Sequence, residues 1–161
     1  MNCKNCAGTL TFAPGKNYHY CEFCGTFQFP EDANERVVIV DENGGGLQCP
    51  ACLDPLVTAA VADCRVLHCR NCRGILLGNA TFGQIIDTLK EFADGSSGAP
   101  TPIDLSEYER ILNCPGCELR MDTHPYYGPG SVVIDTCGRC QVIWLDYGEL
   151  DIVIDAHGRR Q

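Results

Sequence analysis

Six Cys-x-x-Cys pairs stand on this chain, and they fall into three couples. Cys3/Cys6 answers to Cys21/Cys24, Cys49/Cys52 to Cys69/Cys72, and Cys114/Cys117 to Cys137/Cys140. Twelve of the thirteen cysteines are used, with 14, 16 and 19 residues between the pairs of each couple. Two short thiolate-bearing loops at such a separation make a tetrahedral cage for one Zn²⁺. Four cysteines fill the cage and leave no open position, so the sites read as structural rather than catalytic. Iron also suits a tetrahedral S₄ set, but the long separations within each couple favour zinc.

The couples cut 161 residues into three segments. Residues 1–46 hold the first ribbon with a strand and linker. Residues 47–102 hold the second ribbon, an amphipathic helix and a linker. Residues 103–161 hold a short helix, the third ribbon and a C-terminal helix. Chains of about 40 residues seldom bury enough apolar surface to fold alone. A structural zinc supplies roughly 10–16 kcal/mol of apparent binding energy, which becomes folding energy. The expected fold is therefore small, metal-stabilised and mainly β: three tandem zinc ribbons with short accessory helices.

A disulfide framework is the competing use of cysteine. The opening MNCKNCAGTL has no basic patch followed by an apolar stretch, so a reducing cytoplasm is expected. No apolar run approaches the ~18 residues of a membrane span. The chain carries 21 acidic against 12 basic residues, a formal charge of −9. Twelve deprotonated thiols and three Zn²⁺ would take this to about −15. Such a charge opposes generic nucleic-acid binding, which relies on a Lys/Arg footprint. It suits a basic protein partner, or solubility alone.

Along the first segment, β-type residues flank Pro14-Gly15 and predict a hairpin. The run RVVIV at 36–40 predicts a further strand, and DENGGG at 41–46 a flexible break. Phe82, Ile85, Ile86, Leu89 and Phe92 recur at helical spacing after the second ribbon. The stretch SSGAPTP at 96–102 predicts a linker. Ser106 with Glu109, and Asp146 with Glu149, have the spacing of capping boxes. In the third segment, residues 121–134 predict a hairpin with PYYGPG at its tip. The second and third segments read as copies, with Leu76 and Leu77 standing where Trp144 and Leu145 stand.

The third-segment runs CPGC at 114–117, VIDTCGRC at 133–140 and WLDYGEL at 144–150 resemble the bacterial zinc-ribbon family named after transcription factor IIB. The resemblance is close over about 40 residues of the third segment. The second segment shares only the cysteines and apolar positions, and the first resembles zinc ribbons generally through CEFCG at 21–25. The family's name implies transcription, but zinc ribbons serve as nucleic-acid modules, docking modules and structural clips alike, and fold does not choose among these uses.

Outside the cages, Cys64 reads as a small buried apolar residue, with an alternate ligand or redox-sensitive thiol as the other uses. Trp144 reads as core over a knuckle, and Asp146 and Glu149 as helix capping. Arg65, Arg70 and Arg73 read as a solvated face. Tyr126 and Tyr127 stand at a turn whose prolines and glycines need no aromatics, which makes them a candidate protein interface, with packing as the equal alternative. The expected function is a non-catalytic zinc adaptor acting through protein–protein interaction. The second reading is a nucleic-acid-binding transcription-related factor. Thiol–disulfide exchange comes third, because a reactive pair should open a helix and remain free to attack.

Overall fold

The computed structural model describes residues 1–13, 18–28, 36–90, 108–126 and 132–155. They form two compact units, Met1–Glu35 and Arg36–Gln161. The second and third ribbons share one sheet, and the division between the units falls at 35/36.

In the first unit, β1 (Leu10–Ala13) and β2 (Tyr18–Cys21) form the expected antiparallel hairpin, and β3 (Phe27–Gln28) adds to β2. Pro14 and Gly15 lie outside the described residues. Among the described residues the buried apolar cluster here is Cys3, Leu10 and Cys21, so two of these three are candidate metal ligands.

The second unit is built on seven antiparallel strands in the order β4-β5-β6-β7-β10-β9-β8. These are β4 (Val38–Asp41), β5 (Val57–Val61), β6 (Cys64–His68), β7 (Ile75–Gly78), β8 (Asp122–Pro125), β9 (Val133–Cys137) and β10 (Val142–Leu145). Ala62 and Asp63 join β5 to β6, both at positive φ, as a two-residue type I′ hairpin demands. β4 pairs with β5 through a bulge between Ile39 and Asp41. The strand expected in the first segment thus belongs to the second unit. Residues 41–46 are an ordered turn, not a flexible break. The Asp41 carboxylate accepts from the Asn43 N–H at 2.9 Å, the Asn43 side chain accepts from Gly45 N–H at 2.9 Å, and the Thr58 hydroxyl donates to the Asn43 carbonyl at 2.7 Å.

The two ribbon copies meet at β7 and β10. Leu76 lies opposite Trp144, Leu77 opposite Ile143 and Ile75 opposite Leu145. Counted from the second knuckle of each copy, Leu76 and Trp144 are equivalent positions. Equivalent residues facing each other in an antiparallel pair mean that a local two-fold axis relates the copies. Helices α1 (Asn79–Lys90) and α2 (Glu149–Asp155) follow these strands and pack on each other. Phe82, Ile85 and Ile86 of α1 join Leu150, Val153 and Ile154 of α2 in one buried cluster with β-strand residues such as Ile143 and Leu145, and Leu89 packs on its margin. Phe92 lies outside the described residues.

Trp144 is fully buried, and a Cβ built on Gly74 would fall 2.1 Å from its Cζ2. The indole therefore lies directly on the Gly74 backbone. Gly74→Val should cost the second unit about 1–3 kcal/mol through overpacking. Urea unfolding followed by fluorescence of Trp144, the chain's single tryptophan, measures this. An unchanged midpoint would show that the ring does not depend on that glycine.

Candidate metal centres

Each of the six Cys-x-x-Cys pairs closes the same turn. The residue after the second cysteine sits in the left-handed region: Ala7, Gly25, Leu53, Arg73, Glu118 and Gln141, with φ between 58° and 72°. The N–H of that residue donates to the carbonyl of the first cysteine in every pair, at 2.8–2.9 Å. One of the six is glycine. The other five hold a conformation that costs a side-chain-bearing residue roughly 1–2 kcal/mol. Something must over-determine these turns. The turns aim both sulfurs of a pair to one side, so paired knuckles converge.

The sulfurs of Cys3, Cys6, Cys21 and Cys24 all lie within 4.8 Å of one another, as do those of Cys49, Cys52, Cys69 and Cys72, and those of Cys114, Cys117, Cys137 and Cys140. Close cross-knuckle distances are 3.6 Å for Cys3–Cys24, 3.5 Å for Cys6–Cys21, 3.6 Å for Cys49–Cys72, 3.4 Å for Cys52–Cys69 and 3.6 Å for Cys117–Cys137. Tetrahedral Zn–S bonds of about 2.3 Å place sulfurs about 3.8 Å apart, so the donor set fits the ion in chemistry and in span. These are three structural Zn²⁺ sites.

Backbone amides point at sulfurs in all three cages. Asn5 N–H reaches Cys3, Gly8 N–H reaches Cys6, Ala51 and Cys52 N–H reach Cys49, and Cys140 N–H reaches Cys137, each at 3.4 Å. The Cys140 amide holds the Cys137 thiol down to about 7. The Thr26 hydroxyl beside Cys24 holds that thiol down to about 6. A thiolate is the ligating form, so these contacts favour the metal-ready state. In each pair the first cysteine is buried and the second is the more exposed or equally buried one. None of the knuckles opens a helix, the placement a thiol–disulfide exchange pair would need. Cys64 begins β6, is half-buried and packs on the apolar cluster, outside all three cages.

Beside the third cage lies a charged network that sequence reading saw only in part. Arg110 donates from Nη1 and Nη2 to both carboxylate oxygens of Asp146, at 3.1 and 2.7 Å, and from Nη2 to Asp135 at 3.1 Å. Trp144 Nε1–H donates to Asp146 at 3.1 Å, and the Thr123 hydroxyl to Asp135 at 2.6 Å. Burial pushes the Asp135 carboxyl up, against the pull of Thr123 and Arg110. Glu149 accepts from the Asp146 N–H at 2.8 Å, which is one half of the expected capping box. The other half differs. α2 starts at Glu149 after Gly148 at φ +85°, so Gly148 takes the N-cap position and the Asp146 carboxylate is released to Arg110 and Trp144. Ser106 lies outside the described residues.

Tyr126 packs edge-on against Phe82 of α1, with ring centroids 5.5 Å apart, and its hydroxyl oxygen is buried without a hydrogen-bond partner among the described residues. Its ring lines the margin of the core cluster. The Tyr126 ring thus bridges the third-ribbon hairpin to the helix of the second. Tyr127 lies outside the described residues.

Two outcomes test these contacts. Arg110→Ala leaves Asp135 and Asp146 together without their cation and should cost about 3 kcal/mol, with Arg110→Lys recovering only part because an ammonium cannot fork to both. Denaturation followed by Trp144 fluorescence gives both values. Tyr126→Phe should stabilise by about 1 kcal/mol, since it removes an unpaired buried hydroxyl, whereas Tyr126→Ala should cost about 3 kcal/mol. Equal loss in both would place the hydroxyl in a hydrogen bond.

No curated protein and no solved structure matches the chain. The family described as transcription factor zinc-finger, of the zinc-ribbon type named for transcription factor IIB, matches residues 48–88 and 113–156. These are the two ribbon copies joined at β7 and β10, and they make up more than half of the chain. With its paired knuckles, tetrathiolate cages and trailing helices, the chain belongs to the transcription factor zinc-finger family.

Proposed function

We propose that the protein is a non-catalytic zinc adaptor that takes up an extended, basic segment of another protein along β4. The observation that carries this reading is the surface of that strand. Val38, Ile39 and Val40 are 65%, 36% and 65% exposed, three consecutive β-branched apolar residues on a sheet edge. An exposed apolar edge strand offers unpaired backbone groups and alternating side-chain contacts to an incoming strand. Beside it runs a groove of about 490 Å³ lined by Val40, Asp41, Thr58, Ala60, Asp63 and Arg65. Asp41 and Asp63 put two carboxylates on that groove, and the whole chain is at −9. A partner segment alternating apolar residues with Lys or Arg complements both features.

The family description favours a second reading, nucleic-acid binding. Against it, three of the described arginines are matched by carboxylates: Arg36 by Asp151 at 2.8 Å, Arg70 by Glu42, and Arg110 by Asp135 and Asp146. No helix among the described residues is long and apolar enough to cross a membrane. A reducing compartment such as the cytoplasm suits free thiolate cages.

Co-purification with the tagged chain separates the readings. Partners that survive nuclease treatment, and that are lost with Val38→Lys plus Val40→Lys while three zinc per chain are retained, support strand addition. Exposed substitutions of this kind should change stability by no more than about 0.5 kcal/mol. Partners lost with nuclease, or tight low-salt binding to duplex DNA that weakens steeply with salt, would favour the second reading.

A further inference from the structure

The three cages differ in how far their sulfurs meet solvent. In the first, Cys6 and Cys24 are both exposed. In the second, Cys49, Cys69 and Cys72 are buried and Cys52 is half-buried; in the third, Cys114 and Cys137 are buried and Cys117 and Cys140 half-buried. The units around them differ too. The first cage belongs to a unit whose buried apolar cluster, among the described residues, is Cys3, Leu10 and Cys21. The other two belong to a unit with a fifteen-residue apolar cluster.

Zinc keeps a cysteine in its thiolate form, and oxidation follows thiolate character and exposure. Cys6 and Cys24 are exposed residues, so a peroxide can approach them without local unfolding. Once one is oxidised, a second thiolate is already in place to close on it. Cys21 lies 3.5 Å from Cys6, and Cys3 lies 3.6 Å from Cys24.

We propose that the first cage is a two-electron oxidation site that releases its zinc and unfastens the Met1–Glu35 unit, while the other two cages hold theirs. The oxidant is a hydroperoxide. The exposed thiolate attacks one peroxide oxygen, the O–O bond breaks, and the leaving hydroxide takes a proton to become water. The resulting sulfenic acid is attacked at sulfur by the cross-knuckle thiolate, which expels a second hydroxide, protonated in turn. Two thiolates, one hydrogen peroxide and two protons thus give one disulfide and two waters. The ion, left with two of its four thiolates, departs. A dithiol reductant with added Zn²⁺ reverses the sequence, since it returns both thiolates to the cage. Loss of this ion removes the chief cohesive element of the first unit, whereas the second unit keeps its own core and both its ions.

The test uses the full zinc-loaded chain with a few equivalents of hydrogen peroxide. Released Zn²⁺ is followed with a chromogenic chelator, and disulfides are mapped by peptide mass spectrometry. The expected course is a fast phase of one zinc per chain with a Cys6–Cys21 or Cys3–Cys24 disulfide. The remaining two should follow about ten-fold or more slowly. Reductant and Zn²⁺ should restore the three-zinc state. Release of all three ions in one phase, or a fast-phase disulfide within either other cage, would overturn the proposal. Cys6→Ser with Cys24→Ser should leave two zinc per chain and only the slow phase; a fast phase that persists would also overturn it. Should that variant not fold, the disulfide map of the unsubstituted chain decides alone.

Discussion

Four thiolates gathered within 4.8 Å repel one another, and only a divalent cation at their centre turns that crowding into cohesion. Much of the structure follows from this one interaction. Five non-glycine residues sit in left-handed turns because the metal holds the knuckles that contain them. In the first unit the cage and the core are nearly the same object, since Cys3 and Cys21 are two of its three buried cluster members. In the second, the cages act as staples around a core of ordinary aliphatic packing.

The division between what sequence reading reached and what it missed follows range of interaction. Ligand sets, hairpins and the apolar stripe of α1 are local or strictly spaced, and cysteine spacing with hydrophobic period carries them. The shared sheet is not local. Nothing in Ile75–Gly78 or Val142–Leu145 says that these two runs pair with each other rather than lie at the edges of separate ribbons. Their apolar content gave a clue: strands buried on both faces read as continuous hydrophobic runs, and ILLG and VIWL are such runs. β4 was legible as a strand but not as a partner of β5, because its register depends on a bulge. Arg110 carries no motif of its own, yet it joins two acidic residues from separate parts of the third-segment motif, Asp135 and Asp146. Asp146 looked like a helix cap by spacing, and Gly148 took that place because glycine accepts φ +85° without cost.

Functionally, the molecule separates strength from reactivity. The β7–β10 junction is buried, and Arg110, Asp146 and Trp144 are tied together by hydrogen bonds. What it offers to the outside lies at the margins: the apolar surface of β4 and the outward sulfurs of the first cage. These margins differ in kind. One is an apolar backbone edge, the other a pair of exposed cysteines. A chain of this size can carry both because metal, not core volume, stabilises its smaller unit.

The local two-fold at β7 and β10 has a consequence for descent and robustness. Two identical ribbons meeting at such an edge would form a symmetric dimer, obliged to place the same residue on both sides and to dissolve on dilution. Joined in one polypeptide, the halves are held at a fixed effective concentration, and each side is free to change alone. The chain shows that freedom: Gly74 accommodates the indole of Trp144, while the equivalent pair in the other direction is Val142 and Leu76. A bump on one half and a hole on the other cannot both be satisfied by a pair of like halves. The duplicated edge has thereby become an intramolecular lock with a single key, closed to exchange with a second molecule.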